Sequence, residues 1–182
     1  MKIGVFSDTH DRLETVAQAV DIFRARQVDG LVHCGDWVAP FTIEYFDQVC
    51  GEWRVPVHSV FGNNEGDIRR IIERSEKLKN PIMFTSKQTL EVEFEGRKIV
   101  VYHGQDKSIM AALIKCQEYD AVFTGHTHEP RNELLGKTLV LNPGSTAYVA
   151  NSRIIDTASV AIYDPEKNEA EIVYLEPLNL GN

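Results

Sequence analysis

The chain has 182 residues, 43% of them hydrophobic, which is enough for one well-buried core and short for two. A formal net charge of −8 works against non-specific binding to a nucleic acid backbone, because that affinity rests on Lys and Arg displacing counterions. Cys34, Cys50 and Cys116 are odd in number and lack CxxC spacing, so neither a disulfide framework nor a thiolate zinc knuckle is indicated and a reducing, cytoplasmic setting is expected.

The start MKIGVF lacks a charged leader followed by an apolar run, and no stretch approaches the ~18 apolar residues of a membrane span. A soluble single domain over 1–182 is therefore expected. Lys2 to Phe6 reads as a buried strand. Asp11 with Glu14 three residues on reads as a capping box, after which Leu13, Val16, Ala17, Val20 and Phe23 follow a helical period. Gly30 to Cys34 reads as a second strand. Pro40 suits a first helical turn, with Phe41, Tyr45, Phe46 and Val49 placed on one face and Gly51 as the stop. Val57 to Phe61 reads as a third strand, and the three β-α steps imply parallel pairing. The charged stretch Arg69 to Asn80 reads as a solvated helix face, with a mobile excursion as the alternative.

The second half has a different texture. Leu90, Val92 and Phe94 alternate with glutamates, turn at Gly96 and return through Ile99 to Tyr102, which predicts a hairpin with one wet face. A short helix carrying Ile109, Met110, Leu113 and Ile114 precedes the apolar run Ala121 to Phe123. Strands are expected at Thr138 to Leu141, Ser159 to Tyr163 and Glu171 to Leu175. A parallel half followed by a hairpin-rich half implies an α/β protein of two sheets packed face to face with helices outside.

Chemistry-bearing residues recur just past the strands. Asp8 and His10 follow the first, Asp36 the second and Asn63 the third; His103 ends the hairpin, and His126 and His128 follow the apolar run. Ligands of open α/β sheets bind at the carboxyl ends of the strands, so one pocket can gather all seven. Carboxylate, imidazole and amide oxygen form a mixed O/N set suited to Mn, Fe or Zn.

The ordered set "DTH" at 8–10, "GD" at 35–36, "GNNE" at 62–65, "HG" at 103–104 and "GHTH" at 125–128 resembles the calcineurin-like metallophosphoesterases. The short length and "NPGS" at 142–145 are most similar to the small YfcE-type phosphodiesterases. The resemblance implies a four-layer α/β/β/α sandwich of two mixed sheets. It further implies that Asp8, His10, Asp36 and His128 hold one divalent ion and that Asp36, Asn63, His103 and His126 hold a second, with Mn favoured and Fe, Zn or Ni as alternatives. Two cations would neutralise an anionic ester and supply hydroxide at neutral pH, which explains how an acidic protein receives such a substrate.

Many members of the wider superfamily carry His directly after the metal-binding Asn; here Asn64 stands there. An amide donates a hydrogen bond but delivers no proton, so activity on diesters or on esters with good leaving groups is expected, with Asn64, Asp36 and His126 as the catalytic candidates. Glu65 stands where Asp is common and reads as structural, with a hydrogen bond supporting a metal ligand as the alternative. His33 reads as a buried hydrogen-bonded strand residue, with contact to the metal ligands as the alternative; His58 and Cys34 read as structural residues, Asp11 as a helix cap, and Arg12 as a candidate phosphate contact. Asn142 and Ser145 are candidates for orienting nearby loops.

The expected partner is a small-molecule phosphate ester; a homodimer is compatible with apolar sheet edges, and membrane or nucleic acid is not expected. Two other readings share the metal motifs: a protein-interaction scaffold of the same fold, as in a eukaryotic retromer subunit, and a nuclease. Net acidity and the lack of length for a DNA-binding domain oppose the nuclease. A nucleotide-binding Rossmann module lacks its GxGxxG.

Overall fold

The computed structural model describes residues 1–150, 153–154 and 157–177. The chain opens with β1 (Ile3–Phe6), α1 (Leu13–Ala25), β2 (Gly30–His33), α2 (Pro40–Cys50), β3 (Val57–Ser59), α3 (Ile68–Ser75) and β4 (Ile82–Phe84). There follow β5 (Thr89–Phe94), β6 (Arg97–Tyr102), α4 (Lys107–Lys115), β7 (Ala121–Phe123), β8 (Arg131–Leu135) and β9 (Thr138–Asn142). A small ribbon of β10 (Val149–Ala150) and β11 (Arg153–Ile154) precedes β12 (Ser159–Asp164) and β13 (Glu169–Tyr174).

Two mixed sheets result, as expected, one ordered β13-β12-β1-β2-β3-β4 and the other β5-β6-β7-β9-β8. The parallel pairing of β1, β2 and β3 follows from their helical crossovers. The C-terminal hairpin differs from the simple two-half reading: β12 pairs antiparallel with β1 and so extends the first sheet. Its residues Val160 and Ile162 face the helices and Ala161 and Tyr163 face the other sheet, so both sides of β12 are buried. That explains its nearly unbroken apolar sequence.

Side-chain alternation separates two cores. Ile3 and Val5 of β1 and Val32 of β2 pack with Ile99, Val101, Phe123 and Leu141 of the second sheet, forming the layer between the sheets. Phe6, Leu31 and Val57 point the other way, against Val16, Val20 and Phe23 of α1 and Ile43 and Phe46 of α2. Val100, Tyr102, Val122 and Val140 face outward from the second sheet yet are buried, on the side that carries α4. The fold is thus the expected α/β/β/α sandwich.

Several local expectations are corrected. Asp11 does not cap α1, whose N-cap residue is Arg12 without a side-chain bond. With φ of 59° its carboxylate turns towards α2 and accepts the Ala39 N–H at 3.0 Å and the Thr42 hydroxyl, capping that helix instead. Phe41 is 51% exposed, because α2 presents Thr42, Ile43, Phe46 and Cys50 inward. The charged stretch is a helix start, capped by Asp67 through Arg70 N–H, followed by a fixed turn. Asn80 closes that turn: it accepts Val55 N–H at 3.0 Å and donates to Asp47. The strands β4 and β8 were not marked by the sequence.

Candidate metal centre

The strand ends of both sheets converge. Asp8 and His10 leave β1, Asp36 leaves β2, Asn63 follows β3, His103 follows β6, and His126 and His128 follow β7. The structure brings all seven predicted residues together. His10 Nε2 lies 3.2 Å from His128 Nε2, and His128 Nε2 lies 3.2 Å from Asp8 Oδ1. Across the cluster, His103 Nε2 lies 3.3 Å from Asp36 Oδ2 and 3.0 Å from Asn63 Oδ1, which in turn is 2.8 Å from His126 Nδ1. His10 Nε2 is 3.5 Å from Asp36 Oδ2, so Asp36 faces both groups.

These spacings suit shared ions, since donor atoms ~2.1 Å from one ion lie about 3.0–3.4 Å apart at octahedral to tetrahedral angles. The donor chemistry makes a second test. His103 Nδ1 is 2.8 Å from the Cys34 carbonyl, an acceptor, so Nδ1 carries the ring proton. Nε2 then aims its lone pair at a carboxylate oxygen and at Asn63 Oδ1. A cation, either a proton or a metal ion, is what reconciles three facing acceptors. The residues therefore fit the metals that the sequence resemblance implies. Asp8-His10-His128 and Asp8-Asp36-His103 are two groups whose ligand atoms lie close enough to hold an ion.

Electrostatics agree. Burial opposes charge on Asp8, but bonds from His10 and His128 and the field of His103 outweigh it and hold the carboxyl well below its ordinary range. Asp36 is likewise lowered: burial works against it, while His103 and Asn64 prevail. Burial lowers His103 too, yet its bond to Asp36 and the Asp8 charge raise it overall. For His126 burial and the neighbouring His103 win, and its pKa is lowered.

The backbone bears a cost for this convergence. Asp8, His10, Asp36, His126 and His128 all have φ between 40° and 67°, a region that L residues seldom occupy. Close approach explains two of the glycines. A Cβ on Gly62 would lie 2.0 Å from Asp36 Oδ1, and one on Gly125 would lie 2.6 Å from Asp8 Oδ2.

The surrounding bonds explain several secondary residues. Glu65 Oε1 accepts the N–H groups of Asp36 at 2.8 Å, Gly62 at 3.2 Å and Trp37 at 3.3 Å, while Oε2 accepts Val38 N–H at 2.9 Å. It is a carboxylate clamp on the Asp36 loop. Asn64 reaches the same aspartate, donating its backbone N–H to Oδ1 at 2.8 Å and its side-chain amide to Oδ2 at 2.7 Å. Asn142 donates to the Gly125 carbonyl at 2.8 Å, and the Ser145 hydroxyl donates to the Asp8 carbonyl at 2.9 Å, so both brace ligand loops.

His33 is fully buried, stacks on Trp37 and accepts Gly35 N–H, and burial pushes its pKa down to about 3. It does not join the cluster. Cys34 is buried and its thiol pKa is pushed up by burial. His58 is half-buried against the edge of Phe94. Arg12 makes no side-chain bond among the described residues, and nothing in the structure assigns it to an anion.

Residues 1–168 match the family model for the calcineurin-like phosphoesterase superfamily domain. Phosphodiesterase MJ0936 of Methanocaldococcus jannaschii is 32% identical over 97% of this chain and 100% of its own. A solved structure described as a novel archaeal phosphodiesterase superposes with TM-score 0.84 at 31% identity, covering 96% of this chain and all of the other. The YfcE phosphoesterase of E. coli shares the fold at TM-score 0.64 and 19% identity, over 97% and 100% of the two chains. No helix among the described residues is long and apolar enough to cross a membrane. With its histidines and aspartates gathered at the strand ends and the family model spanning most of its length, the chain belongs to the calcineurin-like phosphoesterase superfamily.

Proposed function

We propose that this chain, acting as one domain over 1–182, is a dinuclear-metal phosphodiesterase that hydrolyses small phosphate esters. The observation that carries the reading is the facing of lone pairs around Asp36, His103 and Asn63 beside the His10–His128 pair, an arrangement that calls for cations. Asp8, His10, Asp36 and His128 would hold one ion and Asp36, Asn63, His103 and His126 the other, with Mn²⁺ proposed as the native metal. When bound, such ions neutralise the ester and activate water.

The chain's own residues do the rest. Asp36 faces both groups and is fixed from three sides by Glu65, Asn64 and the backbone N–H of Thr9 that meets its carbonyl. His126 lies exposed at the mouth of the cluster, where it can touch the ester. Asn64 can donate to a leaving oxygen but supplies no proton, which favours diesters and good leaving groups. The named relative is a phosphodiesterase, in agreement. A cytoplasmic location and a small-molecule partner belong to the same proposal.

The test is hydrolysis of bis-p-nitrophenyl phosphate and p-nitrophenyl phosphate by chelated protein refilled with Mn²⁺. Diester cleavage that needs both metal and Asp36 is expected. Turnover surviving in Asp36→Ala, or absent from a protein that binds Mn²⁺, would overturn the proposal.

A further inference from the structure

Beside the metal centre lies a cavity of about 350 Å³ between α4 and the loop that follows β7. Met110, Ala111 and Ile114 of α4 line it, together with the exposed Gln105 and Lys107 and with His126 of the metal cluster. Cavity and centre thus share a residue. A larger cavity of about 480 Å³ between α1 and β13 shares none with the cluster.

The helix explains why the cavity is apolar. No residue of α4 is buried, although Ile109, Met110, Leu113 and Ile114 form a continuous apolar face. Helices of globular domains ordinarily bury such a face. Here part of it remains available beside the reacting atoms, where an apolar group of the substrate would cover it. The volume falls at the lower end of small-molecule sites, about 300–1,000 Å³, and has ample room for a ring-sized group. Met110 suits a ring in particular, since its polarisable sulfur makes favourable contacts with aromatic edges. Lys107 has no ion-pair partner among the described residues and adds positive charge where an anionic diester enters.

We infer that this cavity is the subsite for the ester group that stays on phosphorus, and that it selects diesters whose retained alcohol is an aromatic ring over those whose retained alcohol is small. The inference rests on the phosphodiesterase reading above. The test compares phenyl p-nitrophenyl phosphate with methyl p-nitrophenyl phosphate on the Mn²⁺-loaded full chain. In both, water supplies the new oxygen on phosphorus, the P–O bond to p-nitrophenolate breaks, and the phenyl or methyl monoester remains.

The phenyl ester should show kcat/KM about tenfold higher, mainly through KM, because ring surface is removed from water. Calorimetry with benzyl(methyl)phosphinate and ethyl(methyl)phosphinate, whose phosphorus carries only P–C bonds in place of the ester links and so is not hydrolysed, should give the same ratio of Kd. Ala111→Phe, which places a ring in the cavity where the substrate's ring would sit, should bring both ratios to within about twofold. Should that variant not fold, Met110→Gln is expected to shrink them in the same direction. Equal kcat/KM and equal Kd in the unmodified chain would overturn the subsite and leave the phosphodiesterase reading standing. Turnover of neither ester by Mn²⁺-saturated protein would overturn that reading, and the subsite with it.

Discussion

Glu65 offers the sharpest perturbation of the centre that leaves every proposed ligand in place. Its carboxylate takes four backbone N–H groups, three on Oε1 and one on Oε2. Glu65→Ala strands all four. A buried donor left without a partner costs about 1–3 kcal/mol, and with water reaching part of this half-buried loop we expect a net loss of about 2–4 kcal/mol. Asp36 sits on that loop, so the loss should also appear in metal binding, at the roughly 10–100-fold seen when groups that orient ligands are removed. Glu65→Gln keeps the three-donor oxygen but turns an NH₂ towards Val38 N–H or the reverse, and should fall between the two. Urea unfolding of the chelated protein reads the first effect and calorimetric titration with Mn²⁺ the second. If Glu65→Ala unfolds at the same urea concentration and binds Mn²⁺ as the unmodified chain does, the clamp has no such role.

Other consequences follow from the same geometry. Asn64→His restores a group that can deliver a proton and should raise the monoester rate relative to the diester rate by about tenfold or more; an unchanged ratio would remove Asn64 from the leaving-group argument. His33 is buried with a folded pKa near 3, lowered from 6.5 by burial, so the unfolded chain binds the extra proton. Its contribution is fully present above pH 6.5 and is lost as pH falls towards 3, with a slope of about 1.4 kcal/mol per pH unit. His33→Asn, which retains an acceptor for Gly35 N–H, should flatten the acid limb of the stability curve by about one proton; an unaltered slope would show that His33 does not titrate on unfolding. Gly62→Ala places a methyl against the Asp36 carboxylate and should weaken Mn²⁺ binding by about 10-fold or more, measured by the same titration.

Much of the centre was legible because strand ends and short polar motifs coincide in the sequence. Asp8, Asp36, His103 and His128 each follow a short apolar run that reads as a strand, and the parallel topology carries those ends to one place. The order of the two sheets was less legible. β12 reads as an apolar strand wherever it is placed, and only its register with β1 reveals that it extends the first sheet. β8, with its run RNELL, carries no clear alternation because its three central residues are exposed on both faces, Leu134 at 63%.

Asp11 misled for a different reason. A capping pattern states that an acceptor is near a helix start, and a left-handed turn decided which helix received it. The Glu65 clamp could have been suspected from a glutamate in a glycine-rich ligand loop, but three of its four partners, Asp36, Trp37 and Val38, sit on another strand's loop, and sequence spacing does not encode that contact.

The proposed mechanism requires that this cluster hold two ions and work only with both. Chelated protein should be titrated with Mn²⁺ by calorimetry while bis-p-nitrophenyl phosphate hydrolysis is followed at each addition. We expect two equivalents per chain, with turnover rising as the second site fills and with Asn63→Ala removing that second equivalent. Saturation at one equivalent with full turnover would rule out the two-ion mechanism.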